Sequence, residues 1–142
     1  MTNMFTAFVN GIPTPQGSKK GFVINGRAIL VDASEGNKAW RRTVRDHIEK
    51  LPEFRQYKGA VNVSLAFWLP RAKSNTKRQM IQKPDIDKLV RSVMDALTDS
   101  SLIEDDSRVV ALSAMKRWAD DGKPGVLIQV WPSQDPDDTP TT

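Results

Sequence analysis

The chain has 142 residues, 39% of them apolar and 27% charged, with no cysteine and a single histidine, His47. That length fits one domain with a modest core. The absence of cysteine excludes disulfides, thiolate-held iron–sulfur clusters, thiol nucleophiles and cysteine-built zinc sites. One histidine excludes clustered-histidine metal centres and leaves a serine triad only one possible base, so carboxylates are expected to carry any catalysis. No apolar run approaches the roughly 20 residues of a membrane span. No charged-then-apolar leader opens the sequence, so a cytoplasmic protein without membrane attachment is expected.

The net charge of +4 conceals a strong asymmetry. Residues 1–84 carry 15 Lys and Arg against 5 Asp and Glu, whereas residues 85–142 carry 6 against 12. Such a split suits a protein that grips a polyanion with one surface and holds a cation with another.

In chain order, Phe5 to Ile12 reads as a first strand. Pro13 to Gly21, with two prolines and two glycines, reads as a loop carrying Lys19 and Lys20. Phe22-Val23-Ile24 and Arg27-Ala28-Ile29-Leu30 flank Asn25-Gly26, the signature of a hairpin with a type I′ turn. Asp32 or Ser34 can cap a helix that runs to about Leu51. Trp40, Val44, Ile48 and Leu51 form its apolar stripe, and Arg41, Arg42 and Arg45 occupy its other faces. Ala60 to Leu69 alternates as a strand. Pro70 to Lys83 is a long basic loop with Lys73, Lys77, Arg78 and Lys83. Ile86, Leu89, Val90, Val93, Met94 and Leu97 mark the clearest helix in the chain. Val109 to Trp118 and Val126 to Trp131 read as closing strands paired with each other across Ala119 to Gly125. Residues 133–142 read as a disordered acidic tail behind one domain spanning residues 1–132. The expected architecture is mixed α+β, a sheet of about five or six strands with two principal helices.

The informative segment is Lys83-Pro84-Asp85-Ile86-Asp87-Lys88-Leu89, followed by Leu102-Ile103-Glu104-Asp105-Asp106-Ser107. Pro84 favours an extended Lys83, which places Asp85 near the helix cap and Asp87 in its first turn. Mg²⁺ takes oxygen ligands, typically one or two carboxylates, with water and phosphate completing the shell. Asp85, Asp87 and one of Asp105 and Asp106 could supply that partial set, and Arg91 could then meet a phosphate. Against this stands plain capping: Asp is favoured at helix starts and in turns without any metal. His47 sits among charged residues inside a helix and reads as a surface or partly buried position.

These blocks resemble the RusA-type Holliday junction resolvases. That family's pattern is Pro-Asp-x-Asp-Asn-Leu, then a helix containing Leu-Asp-Ala-Leu, then a turn ending in Asp-Asp before a strand. Gly11-Ile12-Pro13-Thr14-Pro15 resembles its N-terminal strand and Pro-x-Pro loop, and the likeness covers residues 5–131. The resemblance implies a homodimeric, Mg²⁺-dependent endonuclease, often phage-encoded and then at work in the host cytoplasm, that nicks four-way DNA junctions symmetrically. No small-molecule cofactor is implied, and Mn²⁺ should replace Mg²⁺. Carried over by motif, the metal-binding aspartates are Asp85, Asp87 and Asp106, with Asp105 adjacent. The family's catalytic lysine falls on Arg91, and Lys88 stands where the motif has asparagine. The lysines and arginines of the two basic loops and the first helix would then contact DNA phosphates. The alternatives are a non-catalytic DNA-binding accessory protein on the same fold, or a nuclease acting on flaps or forks.

Overall fold

The computed structural model describes residues 3–16, 19–24, 27–32 and 35–133, with the backbone course alone described for 19–24, 27–32 and Glu35. Six strands and two α-helices follow in the order β1 (Phe5–Asn10), β2 (Lys19–Ile24), β3 (Arg27–Asp32), α1 (Glu35–Glu49), β4 (Val61–Leu69), α2 (Ile86–Asp99), β5 (Val109–Trp118) and β6 (Gly125–Pro132). β2 and β3 form a separate antiparallel hairpin. Its Asn25-Gly26 turn lies outside the described residues, as do the candidate cap Ser34 and tail residues 134–142.

The other four strands make one mixed sheet in the order β1-β6-β4-β5. β4 is its organising strand. Val61, Val63, Leu65, Phe67 and Leu69 are all buried, while Asn62, Ser64, Ala66 and Trp68 are half-buried on the opposite face. That period of two is what one covered sheet face demands. β6 runs antiparallel to both β1 and β4, and β5 runs parallel to β4. The closing strands therefore do not pair with each other as their sequence suggests. They flank β4 on opposite sides, because the long alternating apolar face of β4 offers each a better partner than a short local turn does. Gly125 allows β6 to approach β1: a Cβ there would collide with the Val9 carbonyl and the Phe8 ring.

Both helices cover the same sheet face. Trp40, Val44 and Ile48 from α1 and Leu89, Val93, Ala96 and Leu97 from α2 join the strands in one core. Two polar groups cross the helix–helix contact: Asn37 Nδ2 donates to Ser92 Oγ, both residues being buried. A buried donor left without its acceptor costs about 1–3 kcal/mol. Ser92→Ala should therefore lower unfolding stability by that order in urea titration. Adding Asn37→Leu should restore part of the loss, because the orphaned amide is then gone. A Ser92→Ala protein as stable as the parent would show that this bond contributes nothing.

Candidate nuclease site on helix α2

The site is built on α2, whose apolar face is fixed in the core and whose polar face is open. Asp85 occupies the N-cap position with an extended backbone, yet its side chain makes no cap hydrogen bond. Plain capping therefore does not account for this carboxylate. Asp87 follows in the first turn, exposed. Lys88 Nζ lies 3.9 Å from Asp85 Oδ2, half-exposed at the same end of the helix. Arg91, one turn on, is exposed and has no hydrogen bond or ion pair to another described residue.

The second acidic segment divides in two. Asp105 caps the short 3₁₀ turn Asp106–Arg108 by accepting from Ser107 N at 2.9 Å. The same Ser107 hydrogen bonds hold its carboxyl below the ordinary value of 3.8. Asp106 instead accepts from Thr98 Oγ1 at 2.5 Å, near the C-terminal end of α2. Thr98 is eleven residues beyond Asp87, about 16 Å of helical rise. One chain thus holds Asp85 and Asp87 at one end of α2 and Asp106 at the other. Among the described residues no three acidic or histidine side chains converge on a common cation position.

Asp95 sits between these ends. It accepts from Gln16 Nε2 at 2.9 Å, and Arg41 Nη1 stands 3.7 Å away. Burial pushes its carboxyl above 3.8, with the Arg41 charge opposing and the negative charges of Asp106 and Asp99 adding to the rise. Asp95 is therefore paired from α1 rather than by Arg91 along its own helix. Arg41 also meets Asp99 at 2.8 Å, which leaves its charge partly neutralised. Arg45 pairs with its neighbour Asp46, while Arg42 is exposed. His47 is a half-buried helix residue, as its surroundings in sequence suggest.

The long basic loop is gathered around the Arg71 side chain. Arg71 Nε donates to Asp120 Oδ1 at 2.8 Å, and its guanidinium donates to the carbonyls of Asn75 and Lys77. The same guanidinium lies over the Trp118 ring at 4.6 Å, and Trp118 Nε1 donates to the Lys77 carbonyl. Met80 is buried beneath, while Lys73, Lys77, Arg78 and Lys83 remain exposed. This loop and residues 12–16 wall a cleft with Asp85 and Lys88 at its rim. The side chains of Lys19 and Lys20 lie outside the described ones.

Two site residues escape a reading of the sequence. Lys116 Nζ donates to the carbonyls of Gln82 and Pro84 at 2.6 and 2.9 Å, tying the segment before Asp85 to β5. Gln16 donates its backbone N–H to the Lys88 carbonyl at 3.1 Å and its side-chain amide to Asp95, which lays the N-terminal loop along α2. Both partnerships span more than 30 residues of chain and leave no local pattern.

An α+β domain with carboxylates at both ends of one helix, beside an exposed basic loop, has the composition of a protein that handles nucleic-acid phosphates. Residues 11–131 match the family model of endodeoxyribonuclease RusA, and the chain belongs to that family. The family is one of endodeoxyribonucleases that act on Holliday junctions. No curated protein matches the chain. No helix among the described residues is long and apolar enough to cross a membrane.

The Asp95 environment has a consequence for stability. A carboxyl raised by folding contributes stability that is fully present below its unfolded value of 3.8 and lost as pH climbs through the folded value. Asp95→Asn should therefore raise the melting temperature at pH 7 and leave it unchanged at pH 3. A fall in melting temperature at pH 7 would mean that the Arg41 contact outweighs the burial.

Proposed function

We propose that this protein resolves four-way DNA junctions by paired symmetric nicks, with Mg²⁺ held at the N-terminal end of α2. The observation that carries this reading is the Asp85 carboxylate, which stands at a helix cap without capping, next to exposed Asp87 and within the family's matched span. The donor set fits the ion: two oxygen-only side chains on one helical turn, with the rest of the shell left to water and phosphate. Mg²⁺ bound there would supply Lewis-acid chemistry at a phosphate oxygen. Mn²⁺ fits the same all-oxygen set, whereas the larger Ca²⁺ should support binding without fast cleavage.

The chain's own cations do the rest. Arg91, free of any described partner, and Lys88 beside Asp85 are the groups placed to contact the scissile phosphate and stabilise developing charge. Lys73, Lys77, Arg78 and Lys83 bind flanking phosphates, so affinity should fall steeply with salt. Arg42 remains available on α1, whereas Arg41 and Arg45 must first leave acidic partners. Asp106 is assigned to the same reaction by the family pattern. Since α2 holds it away from Asp85 and Asp87 within one chain, it acts there only after movement or from a second chain. Two symmetric nicks require two sites, hence a homodimer.

The decisive experiment is cleavage of a synthetic four-way junction, compared with flap, fork and linear duplex, with and without Mg²⁺. Junction-selective nicking that EDTA abolishes is expected. Binding without nicking would favour the accessory-protein alternative. Asp87→Asn and Asp106→Asn should each abolish cleavage while junction binding survives or tightens, because a negative charge near phosphate is lost. Asp105→Asn should be mild, its carboxylate being a turn cap. Loss at Asp105 equal to that at Asp106 would overturn this division of roles.

Arg91→Ala gives the sharpest reading of the phosphate contact. Single-turnover cleavage should slow by two orders of magnitude or more, roughly 3 kcal/mol, while melting temperature stays near that of the parent because the side chain is exposed. Arg91→Lys should keep substantial activity, since it retains the charge. Near-normal cleavage by Arg91→Ala would move the role to Lys88.

A further inference from the structure

The cleft between the basic loop and residues 12–16 differs in character from the chain around it. It measures about 640 Å³, and its lining is mainly apolar. Four proline rings, Pro13, Pro15, Pro70 and Pro84, share its wall with Met80 and Trp118. Ile12, on the same wall, is 60% exposed. Yet the cleft reaches Asp85 and Lys88 and adjoins residues 59–84, a stretch with five basic residues and no acidic one. An apolar hollow set among cations calls for a ligand that is apolar in one part and anionic in another.

The hollow is held open before any ligand arrives. Proline rings lock their own backbone angle and fold away poorly. Gln16 N–H donates to the Lys88 carbonyl at 3.1 Å, which fixes one wall. Lys116 Nζ holds the Gln82 and Pro84 carbonyls, which fixes another. The volume falls within the roughly 300–1,000 Å³ of preformed small-molecule sites. Such sites pair apolar walls with a few polar groups that orient the ligand. Here Gln82 carries a side-chain amide with no partner among the described residues, able both to donate and to accept. Lys83 and Lys88 supply positive charge on the same lining. Flat apolar faces, a hydrogen-bonding edge and an attached anion together describe a nucleotide.

We propose that this cleft receives one nucleobase drawn out of the stack at the branch point of a junction, with the attached phosphate held at Lys88 and the Asp85 end of α2. The inference rests on the junction-nuclease reading above and gives that reading a source of selectivity. A base inside continuous duplex must lose its pair and both stacking neighbours before it can enter. A branch-point base has already lost part of that stacking, so it enters at lower cost. Linear duplex still binds through its phosphates on the basic loop, because that contact is blind to structure. It leaves the cleft empty, and its backbone stays out of reach of Asp85 and Asp87.

The test uses the whole chain in EDTA with synthetic four-way junctions, each carrying 2-aminopurine at one branch-point nucleotide. Its fluorescence should rise severalfold at one position when the parent protein binds, and stay low in linear duplex of the same sequence. Ala72 lines the cleft and is exposed, so Ala72→Trp fills the hollow without removing a core contact. That variant should bind junctions about as well as the parent, lose the fluorescence rise, and nick at least about tenfold more slowly in Mg²⁺. The chain has no cysteine, so a single cysteine gives an independent map. Ala72→Cys should form a disulfide with a thiol-tethered base at the responding nucleotide. Thr6→Cys, exposed between buried Phe5 and Ala7 on the sheet face away from the helices, should not. No rise at any branch-point nucleotide, a rise that survives Ala72→Trp, or equal cross-linking at both cysteines would overturn the inference and leave the nuclease reading standing. A parent that shows the rise and the Ala72→Cys cross-link, yet never nicks in Mg²⁺, would overturn the nuclease reading and leave the base cleft standing.

Discussion

The site depends on the burial of one face of α2. Leu89, Val93, Ala96 and Leu97 are fully buried against the sheet, and each of the larger three contributes about 1.5–3 kcal/mol by leaving water. That anchorage makes the helix a rigid rod whose open face carries the functional groups at fixed rotations. Asp85 and Asp87 stay exposed at its N-terminal end, with only Lys88 beside Asp85. The same rigidity keeps Asp106, held by Thr98, a helix length from them within one chain. Among the described residues, one chain therefore assembles no three-carboxylate centre.

Around the rod, long-range polar ties do what local sequence cannot. Lys116 holds the 82–84 segment to β5, Gln16 ties the N-terminal loop to α2, and Arg71 gathers the basic loop over Trp118. Each tie fixes a segment of irregular backbone, whose conformational entropy is already lost on folding. The exposed lysines of the 71–83 loop are thus held on a preorganised frame. Arg71 itself serves the fold, since its donors are used on Asp120 and on carbonyls of its own loop.

What was legible in the sequence follows from the range of the forces involved. The α2 helix shows in the spacing of Ile86, Leu89, Val90, Val93 and Leu97, and β4 in strict alternation, because both patterns are written by a single buried face. Strand partnership is not written that way. β5 and β6 look like a hairpin because a turn signal joins them, yet each pairs with β4, which lies some 40 residues or more earlier in the chain. The Asp95 partner was equally hidden. Arg91 is at the right helical spacing, but Arg41 arrives from α1, so α1–α2 packing decides the pair. Asp105 and Asp106 are indistinguishable as letters and separate only once one of them caps the turn at Ser107.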